Sequence, residues 1–577
     1  MSVRMSPGLS RSLAITSSIW SRLTRSGRSR VSIHPSAVRD PSCQATPSDA
    51  PTVPRTIAIA VTRTLRSCIS IPPFGFPLAA LRGTCPHRSP RSIWQGCDAA
   101  PVCHVPTADS RPPTAADHGG GSPATLDRKL GSLDGAAIVV SNVIGGGIFI
   151  VPAVVAQLAP SPWAMLGVWL VGGALAFAGA LGYAELAALR PRAGGEYVYL
   201  REAYGPIFGF LTGWTSFVAG FSGAIAASAV GMAAILGRFI PAAADTTPIL
   251  SIPLPFFSLT ISAQALVALA AIAGLSVIHS AGLGPGRIVH NLLAGVKVTA
   301  LVIVVALGFS IGRGDVTNYA GGGSIELSNW VFALIPVLFS YSGWNAAAYV
   351  SEEIRNPGRN VPRALLMGTA VVVLIYLSLN MVYLYAMPVE DFLNQSIRIG
   401  DIAVERLFGS GAGGAWAAAS IVMIAASISA MVIAGPRVYY AMARDGLFFG
   451  AVARVHPRFR TPVVAIAAQA AWSGILVLTG TFGQLVEYTG FAVVLFAGIA
   501  VFAVFVLRRR HPSETRPFRA WGYPFAPLCF AVACLLIVAN ALRENPATSG
   551  SGLVVIALGV PLYFWMRARN RRPRAQA

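Results

Sequence analysis

Ser141-Asn142-Val143-Ile144-Gly145-Gly146-Gly147-Ile148-Phe149 sets three consecutive glycines in the middle of an apolar run. Each glycine costs about 1 kcal/mol relative to alanine inside a helix, so the run predicts a helix that opens at this point. In a bilayer, unwound backbone survives only against protein or a water-filled cavity, because its amides and carbonyls need partners. A break here therefore predicts a ligand site. The rival reading, close packing of helices through small residues, suits an isolated glycine pair better than a run of three.

The rest of the chain supplies the membrane that this argument assumes. Its 577 residues are 54% hydrophobic and only 12% charged, with a mean hydropathy of +0.62, whereas an ordinary soluble domain is about a quarter charged. The formal charge of +21 falls in short clusters between long uncharged runs, which is the pattern of a membrane protein and not of a nucleic-acid binder. Runs of about 20 apolar residues occur near 134–158, 163–188, 205–238, 258–280, 286–312, 328–353, 362–387, 411–437, 462–482, 484–507, 522–542 and 551–567. About twelve transmembrane helices are expected. Arginines crowd the loops after the even-numbered spans and the C-terminal end, from Arg190 to Arg574, while the opposite loops hold only Arg238, Arg313, Arg398, Arg406 and Arg543. Both termini are thus expected on the cytoplasmic side of the cell membrane.

Residues 1–125 are rich in Arg, Ser, Pro and Thr and carry neither a helical nor an alternating pattern. They are expected to lie outside the folded unit, which spans 126–577. They read as a disordered regulatory tail or as the product of a start codon placed too far upstream, with Val102, Val105 or Leu126 as alternative starts. Cys43, Cys68, Cys85, Cys97 and Cys103 fall in this segment without metal or redox spacing. No metal, cofactor or ATP-binding loop is expected.

Five spans after the glycine run, Phe339-Ser340-Tyr341-Ser342-Gly343-Trp344-Asn345 forms a second polar, glycine-interrupted stretch. Interrupted segments at matching places of two halves point to a transporter's binding site, built from inverted repeats of five helices. Half-helix N-termini offer free amides to a carboxylate, and free carbonyls suit an ammonium. The ligand expected is a zwitterionic amino acid. Lys297 lies in mid-span, where a charge costs about 2.5–3.5 kcal/mol and marks a functional site by default. It is expected either to titrate, to take the place of a coupling cation, or to be held permanently by helix-end carbonyls. In each case it faces the broken helices.

Together these stretches resemble the amino acid, polyamine and organocation (APC) superfamily, and most closely its L-type amino-acid transporter branch. The match is carried by Gly145 to Phe149, by Arg192 to Leu200 with Tyr204-Gly205-Pro206, by Tyr341 to Asn345 running on through Glu352-Glu353 to Arg363, and by Arg437 with Ala443-Arg444-Asp445-Gly446 and His456-Pro457. The resemblance implies an all-α, five-plus-five inverted-repeat (LeuT-type) fold with spans one and six broken, and alternating access. By position it implies that Val143, Ile144, Gly145, Gly146, Gly147, Ser340, Tyr341, Ser342 and Gly343 cradle the substrate, with Phe339 as an aromatic gate and Asn345 near the bound molecule. Gly146 stands where many relatives have serine. Lys297 matches a lysine that replaces sodium in sodium-independent members, with Ser427 or Ser429 as its neighbour, and the Glu352 to Arg363 motif reads as a latch.

A sodium-independent secondary amino-acid transporter working by exchange or proton coupling is the function expected, with the lipid bilayer and an amino-acid substrate as partners; the sequence leaves an accessory subunit open. A polyamine or cationic amino-acid antiporter is the alternative within the superfamily. A channel or receptor would show a polar pore stripe or a sensor domain, and a membrane enzyme would show an intramembrane Asp, His or Ser cluster, for which His279 and His290 near span ends are too isolated. With no acidic residue expected in the site, neutral substrates are preferred.

Overall fold

The computed structural model describes residues 126–145, 147–253, 258–392, 399–480, 482–544 and 546–571. The tail expected over 1–125 and the predicted site residue Gly146 lie outside the described residues. In chain order the helices are α1 (Ser132–Val143), α2 (Gly147–Leu158), α3 (Pro162–Leu189), α4 (Glu196–Tyr204), α5 (Pro206–Thr215) and α6 (Phe221–Leu236). They continue as α7 (Ala263–Ser280), α8 (Leu283–Ser310), α9 (Leu327–Ser340), α10 (Ala346–Tyr349), α11 (Pro357–Ala386), α12 (Val389–Phe392) and α13 (Ile399–Phe408). The last are α14 (Ala412–Arg444), α15 (Val463–Thr479), α16 (Phe482–Arg510), α17 (Phe525–Glu544) and α18 (Pro546–Arg571). One antiparallel hairpin, β1 (Leu250–Pro253) with β2 (Ser258–Ile261), precedes α7.

Among the described residues nine helices are long and apolar enough to cross a bilayer, and α15 with the two interrupted pairs, α1–α2 and α9–α10, occupy the other expected positions. The chain is an all-α polytopic membrane protein. Large apolar side chains such as Leu292, Leu535 and Phe525 remain exposed, as on a lipid-facing surface. Inside, small residues let helices approach: a Cβ on Gly172 of α3 would fall 2.5 Å from Val337 of α9. The third span runs from α5 to α6 through a π-helical turn at Ser216–Gly220. Among the long helices, α3 packs against α11 and α6 against α14.

Several span limits differ from expectation, three of them instructively. The fourth starts at Ala263, not 258, because β2 takes the first residues and the Ser262 hydroxyl accepts from the Ala265 amide as an N-cap. The eighth runs on to Arg444, since Arg437 within it is neutralised by a buried partner. The twelfth is longer than 551–567, extending over Pro546–Arg571, with Arg567 and Arg569 exposed toward its end.

Candidate functional site

The first break is where the glycine run places it. α1 ends at Val143, Ile144 is extended (φ −73°, ψ 92°), and α2 begins at Gly147. The carbonyls freed there are taken up by Lys297 of α8, which is fully buried. Its ammonium donates to Ser141 O at 3.1 Å, Ile144 O at 2.6 Å and Ser427 Oγ of α14 at 2.9 Å. A lysine has three N–H donors, and each finds an oxygen. These are the hard oxygen ligands that a monovalent cation would take. Ser427 in turn donates to Ile144 O at 3.0 Å, so one hydroxyl links the ammonium, the break and α14.

Ser429 is not a neighbour of the ammonium. It lies two residues further along α14, and its hydroxyl bridges His279 Nε2 at 2.8 Å and His290 Nδ1 at 3.0 Å. The two histidines, on consecutive helices, thus meet at a buried node joining α7, α8 and α14. One hydroxyl can donate to one ring and accept from the other, which fixes both rings.

The second break, Tyr341 to Asn345 between α9 and α10, turns through Gly343 at φ +100°, where any Cβ would lie 2.5 Å from Asn142 Nδ2. The amide of Asn142 donates to Gly343 O at 3.3 Å and ties the two breaks together. Tyr376 of α11 does so from the other side, its hydroxyl shared between Val143 O at 3.0 Å and Ser340 O at 3.2 Å.

Beside the second break opens a cavity of about 180 Å³, lined among others by Asn142, Phe339, Ser342, Gly343, Asn345 and Met431. It is small beside the roughly 300–1,000 Å³ of drug-sized ligand sites, and suits a single small metabolite. Phe339 is 44% exposed, at the cavity's edge, with its ring close to Gly490 of α16. Of the residues expected around a substrate, Phe339, Ser342, Gly343 and Asn345 line this cavity. Val143, Ile144, Gly145, Gly147, Ser340 and Tyr341 are not among its lining. Gly145 faces Ser427, Gly147 packs on Ser340, and Tyr341 turns into the core, where its hydroxyl donates to Trp169 O at 3.2 Å.

An acidic residue does stand in the cavity, contrary to the sequence reading. Glu196, the first residue of α4, is 6% exposed and lines it. Its Oε1 accepts from Asn345 Nδ2 at 2.7 Å and from the Tyr183 hydroxyl, and its Oε2 receives the Thr212 hydroxyl at 3.4 Å. Burial pushes its carboxyl up from the ordinary glutamate value, against the partial relief of these hydrogen bonds. What turns it inward is Gly194 and Gly195, at φ +107° and +48°, with Gly195 so close to Tyr349 that a Cβ would lie 2.7 Å from that ring. The glycine pair was the available signal.

Next to the cavity the Glu352 to Arg363 motif holds loops together. Arg437 donates from Nε and Nη2 to Glu353 at 2.7 and 3.1 Å with both side chains buried, and Arg444 pairs with Glu352 at 2.9 Å. The Ser351 hydroxyl donates to Arg192 O, and the Tyr197 hydroxyl to Asp445. These contacts join the loops after spans two, six and eight, all on the arginine-rich face.

The family model described as amino acid permease matches residues 130–563. Similar proteins include a serine/threonine exchanger of Bacillus subtilis, 29% identical over 77% of this chain and 98% of its own length. The human cystine/glutamate transporter is 28% identical over 78% of this chain and 87% of its own length. The mouse Asc-type amino acid transporter 1 is 26% identical over 76% of this chain and 81% of its own length.

Proposed function

The chain belongs to the amino acid permease family, a secondary transporter of amino acids and not an enzyme, and we propose that it exchanges small neutral amino acids without sodium across the cell membrane. The observation that carries this reading is Lys297. Its ammonium fills a cluster of three oxygens drawn from the span-one break and α14, so a tethered charge stands where a mobile cation would otherwise bind. The substrate's carboxylate and ammonium meet the polar groups of the second break, Ser342, Gly343 and Asn345, together with Asn142, and its side chain lies among Phe221, Met431 and Phe496 of the cavity. The arginine-rich face and both termini are cytoplasmic in this reading, which makes the Glu353–Arg437 pair the latch on the inner side. Small neutral substrates agree with the size of the cavity and with the name of the serine/threonine exchanger among the relatives.

Glu196 favours a second reading, in which the side chain held is basic. One experiment separates them. Proteoliposomes loaded with unlabelled L-serine are offered labelled serine, threonine, leucine, lysine or arginine, in sodium or in choline chloride. Equal uptake of serine or threonine in the two salts is expected. Stimulation by sodium refutes the cation-substitute role of Lys297, and uptake confined to lysine and arginine establishes the second reading.

A further inference from the structure

Glu196 lines the substrate cavity with uncharged neighbours alone. No lysine, arginine or histidine pairs with it within 4.0 Å among the described residues. The titratable groups that face it are Tyr183 of α3, Tyr199 on its own helix, Tyr349 of α10 and Cys534 of α17, none of which carries positive charge. Its polar neighbours are Asn345 and Thr212.

Taking that cavity as the substrate site, as proposed above, we propose that Glu196 is a proton-binding site loaded together with the substrate. The hydrogen-bond pattern accommodates both forms of the group. Oε1 receives two donors, the Tyr183 hydroxyl and the Asn345 amide, as the carbonyl oxygen of a neutral acid does. Oε2 has a long contact to the Thr212 hydroxyl, and the Tyr349 hydroxyl is a further hydrogen-bonding neighbour of the carboxyl; each hydroxyl donates to a carboxylate or accepts from an acid by rotating its own hydrogen. No heavy atom need move when the proton arrives or leaves.

The energetic reason for coupling is closure. While the cavity holds water, an ionised Glu196 is solvated. Once it closes over a zwitterion, which brings no net charge, an ionised carboxylate is left sealed without a counter-ion, at a cost of several kcal/mol for any such buried charge. Taking a proton from cavity water onto Oε2 removes that cost. The closed, loaded state then holds one more proton than the open, empty one, so affinity is full at acidic pH and falls as pH rises. In one-for-one exchange the proton travels in both directions and its flux cancels; uptake by an empty carrier draws on a proton gradient.

Binding of labelled L-serine, L-threonine, L-lysine and L-arginine to the purified full chain is measured between about pH 5 and 9, together with proton uptake reported by a pH-indicator dye. Above the pKa of the carboxyl, affinity is expected to fall by up to about tenfold per pH unit, with about one proton taken up per substrate bound. Glu196→Gln, which mimics the neutral acid, should bind with a flat pH profile and take up no proton. The proton count on wild-type protein needs no variant, so the inference stays testable if Glu196→Gln does not fold. Binding by wild type that is independent of pH and releases or takes up no proton overturns it, as does a wild-type slope in Glu196→Gln. A loss in that variant confined to lysine and arginine also overturns it, because the carboxylate then pairs with a basic side chain. Absence of binding by any amino acid at any pH overturns the transport reading and this inference with it, whereas pH-independent binding leaves transport standing.

Discussion

Replacing Lys297 with methionine keeps the volume of the stem and deletes the ammonium, and the surrounding hydrogen bonds say what is lost. Ile144 O keeps the Ser427 hydroxyl at 3.0 Å, and that hydroxyl needs no donor of its own. The acceptor left without the ammonium is Ser141 O, near the end of α1. A buried acceptor left without a partner costs about 1–3 kcal/mol, while removing a charge from the middle of a span recovers about 2.5–3.5 kcal/mol. The two effects oppose each other at similar size, so Lys297→Met should reach the membrane and melt close to wild type. Transport is another matter, because the charge that ties the break to α14 is gone. The loss of even one charge-assisted hydrogen bond, about 1.5–3 kcal/mol, corresponds to at least a tenfold fall in exchange. The assays are thermal melting of the purified protein and serine counterflow in proteoliposomes. Wild-type counterflow in Lys297→Met would refute the cation-substitute role, and a collapse of the fold would show that the lysine is structural.

Four other variants test the geometry. Gly343→Ala forces a side chain into a left-handed backbone, at about 1–3 kcal/mol, and drives Cβ to within 2.5 Å of Asn142 Nδ2; substrate affinity measured by equilibrium binding should fall tenfold or more, and unchanged affinity would remove the second break from the site. Gly147→Val presses on Ser340, whose Cα lies 3.2 Å from the first added carbon, so melting should reveal a loss of about 1–3 kcal/mol together with lost transport, since the crowding is between the two breaks. Glu353→Gln leaves Arg437 buried without its counter-ion, and should destabilise by about 3–5 kcal/mol, whereas Glu353→Leu combined with Arg437→Met should recover most of that loss in the same melting assay.

Much of the fold was legible because its determinants are local. Glycines that break a span, a run of about 20 apolar residues and an arginine at a loop each act within a few positions of themselves. Hence the breaks at Ile144 and at Tyr341 to Asn345 stand where the sequence sets them. Span limits were less legible wherever a distant partner decides them. Nothing near Arg437 in the sequence announces that Glu353 lies bonded to it across the bundle, so the eighth helix could not be seen to continue through a charge. The same holds for Ser429, which no local signal separates from Ser427; only the helical turn between them sends one to the ammonium and the other to two histidines.

Glu196 shows the limit most clearly, and also what lies behind it. In the sequence it belongs to a loop that begins with arginine, and its approach to Asn345 depends on a turn at Gly194 and Gly195 whose direction is set by packing against Tyr349. Once that approach is seen, the polar interior becomes coherent. Each break exposes polar groups of the chain, and each has one charged side chain beside it: Lys297 receives the carbonyls of the first, and Glu196 receives the amide of Asn345 from the second. The two charges differ in how completely they are matched. Lys297 has an oxygen for each of its three donors and lies fully buried away from the cavity lining, which suits a permanent charge. Glu196 is bonded by neutral groups alone, among them the Asn345 amide and the Thr212 and Tyr349 hydroxyls, on the wall of the cavity itself, which suits a charge that is gained and lost as the cavity fills.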